Sequence, residues 1–112
     1  MKSSEEKPKI SEDDLIYAIA TAAINTEGVF AIEGKVSQEN LLANKGKAAL
    51  RKGVKITKEH EKIRIDVFLV LEYGFKIPQI AWNTQQNINK ALQELTQMQV
   101  SAINIHINGI HF

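Results

Sequence analysis

The sequence predicts an α+β domain of two layers, a small mixed sheet carrying an N-terminal helix and a long second helix. Three observations carry this. Residues 11 to 26 place apolar side chains at helical spacing. Residues 54 to 73 alternate with period two around a polar turn. A second helical stripe from Pro78 is then followed by another alternating run ending near Asn108. Strand, helix, strand in that order favours a right-handed parallel crossover, so the sheet should combine an antiparallel hairpin with a parallel C-terminal strand.

At 112 residues there is room for one core. Residues 1 to 10, charged and containing Pro8, read as a flexible arm, and 11 to 112 as a single domain. Ser11 followed by Asp14 resembles a capping box, and Leu15, Ile16, Ile19, Ala22, Ala23 and Ile24 form the apolar stripe of a helix running to about Thr26, with Gly28 as its stop. Val29 to Ile32 is either a strand fragment or a buried connection. From Gly34 to Gly53, Leu41, Leu42, Ala48, Ala49 and Leu50 lie between charges, which predicts a partial amphipathic helix interrupted at Gly46.

The hairpin follows. Val54 and Ile56 alternate in its first strand, the turn falls near Glu59 to Glu61, and Ile63, Ile65, Val67, Leu69, Leu71 and Tyr73 share one face of a long second strand expected at the sheet centre. Phe68 and Val70 point the other way, so this strand is apolar on both faces at its middle. At its end, Gly74 permits a bend and Pro78 opens a helix. Tyr73, Gly74, Ile77 and Pro78 therefore read as a structural corner, with Ile77 folding back on Ala81 or Trp82. An anion site at this turn, beside Lys76, is the weaker reading, because the turn has one glycine and a proline that removes a donor. Ile80, Ala81, Ile88, Ala91, Leu92, Leu95 and Met98 form the long helix's apolar stripe. Ile103, Ile105 and Ile107 then alternate with Asn104, His106 and Asn108 in a half-buried strand.

Composition excludes several function classes. The absence of cysteine removes disulfides, thiolate metal sites and cysteine nucleophiles, and fits a reducing compartment. MKSSEEKPKISEDD has no apolar signal region, and no run approaches the roughly 18 apolar residues of a membrane span. A cytoplasmic protein without direct membrane insertion is expected. No serine has a nucleophile-elbow context, and Asp66 and Glu72 share a strand face with Arg64, the ordinary pattern of solvated charges. His106 and His111, five residues apart, should fall on opposite faces of a continuing strand, so neither a metal nor a cofactor is expected.

Two surfaces remain. Lys45, Lys47, Arg51, Lys52, Lys55 and Lys58 occur with no acid among them, although the net charge is only +1. Such a block attracts nucleic acid, acidic protein or anionic lipid, or simply keeps a loop solvated. The second face of the sheet collects Arg64, Asp66, Phe68, Val70, Asn104, His106 and Asn108, an apolar centre with a polar rim that suits a protein interface. If both helices pack on the Ile65 and Leu69 side, Phe68 and Val70 are left for a partner or a second copy. If the first helix crosses over, they are core. A nucleic-acid module using the same face and the basic block ranks lower, since sheet readers offer two or three stacking aromatics.

The stretch DVFLVLEYGFKIPQIAWNTQQNINKALQELTQMQVSAINIHINGI resembles the signature of the alkaline shock protein family of Gram-positive bacteria. The residues that carry the likeness are Tyr73, Gly74, Ile77, Pro78, Gln85, Thr96, Ile103, Asn104, Ile105, Ile107 and Gly109. ISEDDLIYAIATAAINTEGVFAI and RKGVKI match the family's opening helix and hairpin entry, so the likeness covers residues 10 to 110. Gln97 departs from a usual glycine and Thr84 from a usual apolar residue. The resemblance implies self-association, recruitment by a membrane-embedded partner, and for some members a link to a fatty-acid metabolism enzyme. The combined expectation is a non-enzymatic, homo-oligomeric scaffold or adaptor of envelope homeostasis, cytoplasmic or held at the inner membrane face through a partner. Phe68, Val70, Asn104 and His106 are its candidate interface residues, and the basic block is set against an acidic protein partner.

Overall fold

The structure is a computed structural model that describes residues 10–112; the arm read over residues 1 to 10 lies outside the described residues except for Ile10. The chain is α+β. Helix α1 (Glu12–Ile24) leads into strand β1 (Val29–Ile32). Two single-turn 3-10 segments (Gln38–Asn40 and Leu42–Asn44) and helix α2 (Ala48–Gly53) precede β2 (Val54–Glu59), β3 (Lys62–Glu72), α3 (Ile77–Leu95) and β4 (Gln99–His111). β3 is the central strand. One of its edges pairs antiparallel with β2 over its first half and with β1 over its second, and the other edge pairs parallel with β4 along its whole length.

Ser11 caps α1, its hydroxyl accepting from the Asp14 amide at 3.1 Å. The helix ends at Ile24, shorter than its periodicity suggested, because Asn25 leaves the helical conformation with ψ near 1°. Val29 to Ile32 is a strand. The amphipathic helix expected across residues 34 to 53 is only partly there: Gly46 has φ +74°, and the chain before it makes 3-10 turns that bury Leu41 and leave Leu42 72% exposed.

The core lies between the helices and one sheet face. Ile63, Ile65, Val67, Leu69 and Leu71 are each 0% exposed, against Leu15, Ile16, Ile19 and Ala23 of α1 and Ile80, Ile88 and Leu92 of α3. Each such aliphatic side chain contributes about 1.5–3 kcal/mol on burial. Thr84 completes the α3 stripe at 0% exposure, its hydroxyl satisfied by the Ile80 carbonyl at 2.7 Å. Leu95, expected in that stripe, is instead part of the exposed surface. The helices are tied to their surroundings by polar bonds as well. Asn87 donates to Thr26 Oγ1 at 2.9 Å, and Gln85 to the Ile103 carbonyl of β4 at 2.9 Å.

Gly74, at φ +98°, makes the bend after β3, and Pro78 sits in the first turn of α3. Ile77 and Trp82 are 43% and 57% exposed, so the helix entry is held by buried Ile80, which packs against the backbone of Gly28. At the far end α3 stops without a left-handed residue, Thr96 being extended at φ −145°, consistent with Gln97 in place of a glycine.

Gly53 joins α2 to β2, where an added Cβ would lie 1.9 Å from Ile32 Cγ2. Gly53→Ala should therefore destabilise through overpacking by about 1–3 kcal/mol, lowering the thermal midpoint more than Val29→Ala at partly buried β1. Equal midpoints for the two variants in thermal unfolding would show that the α2–β2 junction is not tightly packed.

Candidate interaction surface

Both helices pack on the same side of the sheet, which decides between the two arrangements open from the sequence. The odd-numbered β3 residues from Ile63 to Leu71 are sealed beneath α1 and α3, while Arg64, Asp66, Phe68, Val70 and Glu72 lie half-buried on the opposite face, which no helix of the described residues covers. β4 places Asn104 beside Asp66 and His106 beside Phe68 in register.

The centre of this face is a bonded cluster. Asp66 Oδ1 accepts from Asn104 Nδ2 at 3.2 Å and from His106 Nε2 at 2.9 Å; because a carboxylate only accepts, the imidazole proton sits on Nε2. Arg64 Nε lies 3.7 Å from Asp66 Oδ2. The His106 hydrogen bond is the main cause holding the Asp66 carboxyl below its ordinary range, with Asn104 and Arg64 assisting against desolvation. Phe68 stacks on the His106 ring, centroids 4.4 Å apart and planes within 13°. His106 Nε2 and both Asp66 oxygens are thus engaged within the sheet, and the outward faces of the rings are left for contact.

The aromatic surface is larger than the sequence suggested. In β4, register shifts opposite Ile63/Arg64 and Leu69/Val70 mark bulges at Ser101 and Asn108. The second inverts the alternation. His111 therefore pairs in register with Glu72 and lies on the same face as His106, not on the opposite one. Its ring stacks on Phe30 at 3.7 Å and 3°, and its Nδ1 lies 3.6 Å from Glu72 Oε1. Phe30, 38% exposed, is the bulged residue of β1. Beside it, Phe30, Ala31, Ile32 and Val70 line a mainly apolar cavity of about 480 Å³, rimmed by Asn108, which donates to Glu33 Oε2 at 2.7 Å. Phe30 and His111 were missed as site residues; the available signal was Gly109 within a strand pattern, together with the Ile107 to Ile110 spacing that breaks period two.

The basic block does not stay together. Arg51 bonds Glu12 Oε1 at 2.9 Å and Asp13 as well, contacts that hold its guanidinium still more firmly charged. Lys45 lies 3.4 Å from Asp14 and over the Tyr17 ring at 5.0 Å. Lys47 and Lys52 are exposed around α2, Lys55 stands opposite Asp66 on the outer sheet face, and Lys58 falls on the helix side opposite Ile63. Among the described residues, no group of three or more His, Cys, Asp or Glu could hold a metal ion, and no helix is long and apolar enough to cross a membrane. At the corner, Tyr73 is 68% exposed and tilts against Phe112 at 5.0 Å, while Gly74, Ile77 and Pro78 make the turn into α3.

Against known families, the model of the alkaline shock protein 23 family, described as having a cell envelope-related function, matches residues 1–112. The chain belongs to this family. Among the alkaline shock relatives, the uncharacterized protein Spy1535 of Streptococcus pyogenes serotype M6 is 33% identical over 104 residues, 92% of this chain and 74% of that protein. The uncharacterized protein YqhY of Bacillus subtilis is 33% identical over 106 residues, covering 95% and 78% respectively. Of solved structures, the zinc form of a MamM CTD variant is similar with a TM-score of 0.59 at 9% identity, covering 89% of this chain and 87% of that one. At that identity the likeness concerns the fold alone. For the alkaline shock chain, the lowered Asp66 value gives stability that is present above the ordinary carboxylate range and lost as pH falls through the depressed folded value. The urea midpoint should accordingly fall less between about pH 6 and about pH 3 in Asp66→Asn than in the parent, as measured by far-UV circular dichroism, where parallel curves would contradict the assignment.

Proposed function

We propose that this protein is a non-enzymatic scaffold or adaptor in cell-envelope homeostasis that associates with itself and with a protein partner through the outer sheet face. The observation that carries the reading is the uncovered face itself, where Phe68, Val70, Phe30, His106 and His111 gather at the middle and upper part of the sheet, their rings stacked in pairs and His106 bonded to Asp66. Stacked rings held in place lose little side-chain entropy on docking, and aromatic residues are enriched at the energetic centres of interfaces. Asp66, Asn104 and Arg64 form the polar rim.

Nucleic acid is the weaker reading. Phe68 and His106 stack on each other, which occupies one face of each ring, and Arg51 and Lys45 are engaged by the first turn of α1. Lys47, Lys52 and Lys55 remain for an acidic protein partner, including one embedded in the membrane, which would place the protein at the inner membrane face without inserting it.

Phe68→Glu tests the reading. It should lower the mass measured by light scattering while leaving the circular dichroism spectrum unchanged, because Phe68 is half-buried outside the core. An unchanged mass in a folded variant would rule out the sheet-face contact. Lys47→Glu combined with Lys52→Glu should in turn lower the yield of crosslinked partner recovered from native cells, more so at low salt than at high; a yield insensitive to both would remove the basic residues from the interface.

A further inference from the structure

β4 pairs with β3 alone among the described strands, so its other edge faces no strand. Soluble proteins blunt such edges with charge, proline, bulges or shortness. The opposite edge of this sheet follows the rule: β2 carries Lys55, Lys58 and Glu59, and β1 has four residues and a bulge. β4 has neither charge nor proline. No Lys, Arg, Asp or Glu occurs after Glu94, and between the bulges at Ser101 and Asn108 residues 102 to 107 form a regular strand.

The core is also open along this edge. On the helix side, the β3 residues are 0% exposed, whereas Ile103, Ile105, Ile107 and Ile110 of β4 are only partly buried. From α3, Gln85 reaches the Ile103 carbonyl, which identifies the side of the helix that looks over the edge. By i−3 and i+4 spacing, Trp82 and Asn89 flank Gln85 there. This stripe is uncharged too, and Trp82 is 57% exposed.

We infer that the β4 edge pairs antiparallel with the β4 edge of a second copy about a twofold axis near Ile105, joining two sheets into one and bringing the Trp82 sides of the two α3 helices together. The second copy is the occupant because a twofold pairing sets each residue against itself or a near neighbour. A charge on such a strand would meet its own like, and β4 has none. Alternation fits as well. With Ile105 opposite Ile105, Ile103 meets Ile107 on the helix side and Asn104 meets His106 on the outer side, so neither face is violated. From the proposed function this takes only that the chain associates with itself; the surface is a different one.

The chain has no cysteine, so single-cysteine variants of the whole protein report the contact without background. Opposed residues in an antiparallel pair have Cα atoms about 4.5–5.5 Å apart, within disulfide reach. Under mild oxidation Ile105→Cys should form a disulfide dimer at least about tenfold faster than Thr57→Cys on β2, since the paired thiols are held at high effective concentration. Adding Trp82→Glu should abolish that advantage, and adding Phe68→Glu should preserve it. Equal rates for Ile105→Cys and Thr57→Cys overturn the proposal. So does an advantage that disappears with Phe68→Glu, which would assign self-association to the outer face and leave the proposed function standing.

Discussion

A single strand with apolar side chains on both faces sets the terms for the rest of this molecule. β3 carries Ile63, Ile65, Val67, Leu69 and Leu71 on one side and Phe68 and Val70 on the other. Among the described residues two helices, α1 and α3, are long enough to cover a sheet, and they contact each other as well as the strand. Packing both on one side makes a continuous core with Asn87 and Thr26 bonded at their seam. The consequence is a second face that stays outside the core.

How that face is built follows from the strands beside β3. Antiparallel β2 and β1 share one edge end to end, and parallel β4 fills the other, so side chains from three strands converge around Phe68 and Val70. The bulges in β4 do more than interrupt pairing. By shifting the alternation after Ile107, the second brings His111 to the outer face, where it stacks on Phe30. Hydrogen bonds to Asp66 and the contact with Glu72 then orient the two imidazoles. Charge is arranged by the same folding. Acids crowded into the first turn of α1 meet Lys45 and Arg51, so a segregation that is pronounced along the sequence is partly cancelled in space.

Much of this was legible beforehand, because the residues concerned speak through periodicity. The caps, the alternating strands, the parallel crossover and the corner at Gly74 are all local signals, and they place β3 at the centre. Outer-face membership of Asp66, Phe68, Asn104 and His106 follows from parity alone. Less legible were features decided by tertiary contact. Nothing local distinguishes Leu41, buried between the two 3-10 segments, from its neighbour Leu42, exposed at the start of the second. Thr84 looked like a defect in an apolar stripe, yet its hydroxyl is absorbed by the helix backbone. Whether α1 crossed the sheet could not be read from its own amphipathic pattern. His111 was misplaced because an unbroken strand was assumed through Gly109, the residue that marked the bulge.

The central claim is that the outer sheet face, left bare by the helices, is the surface through which this member of the alkaline shock family works. A concentration series of two-dimensional NMR spectra, with isotope-labelled backbone amides, Val methyls and His rings, tests it most directly. The account predicts concentration-dependent shifts at Phe68, Val70, His106 and His111, with the α1 surface unchanged. Shifts confined to the exposed side of α1 and the segment from Gln38 to Asn44, with the outer sheet face silent, would contradict it.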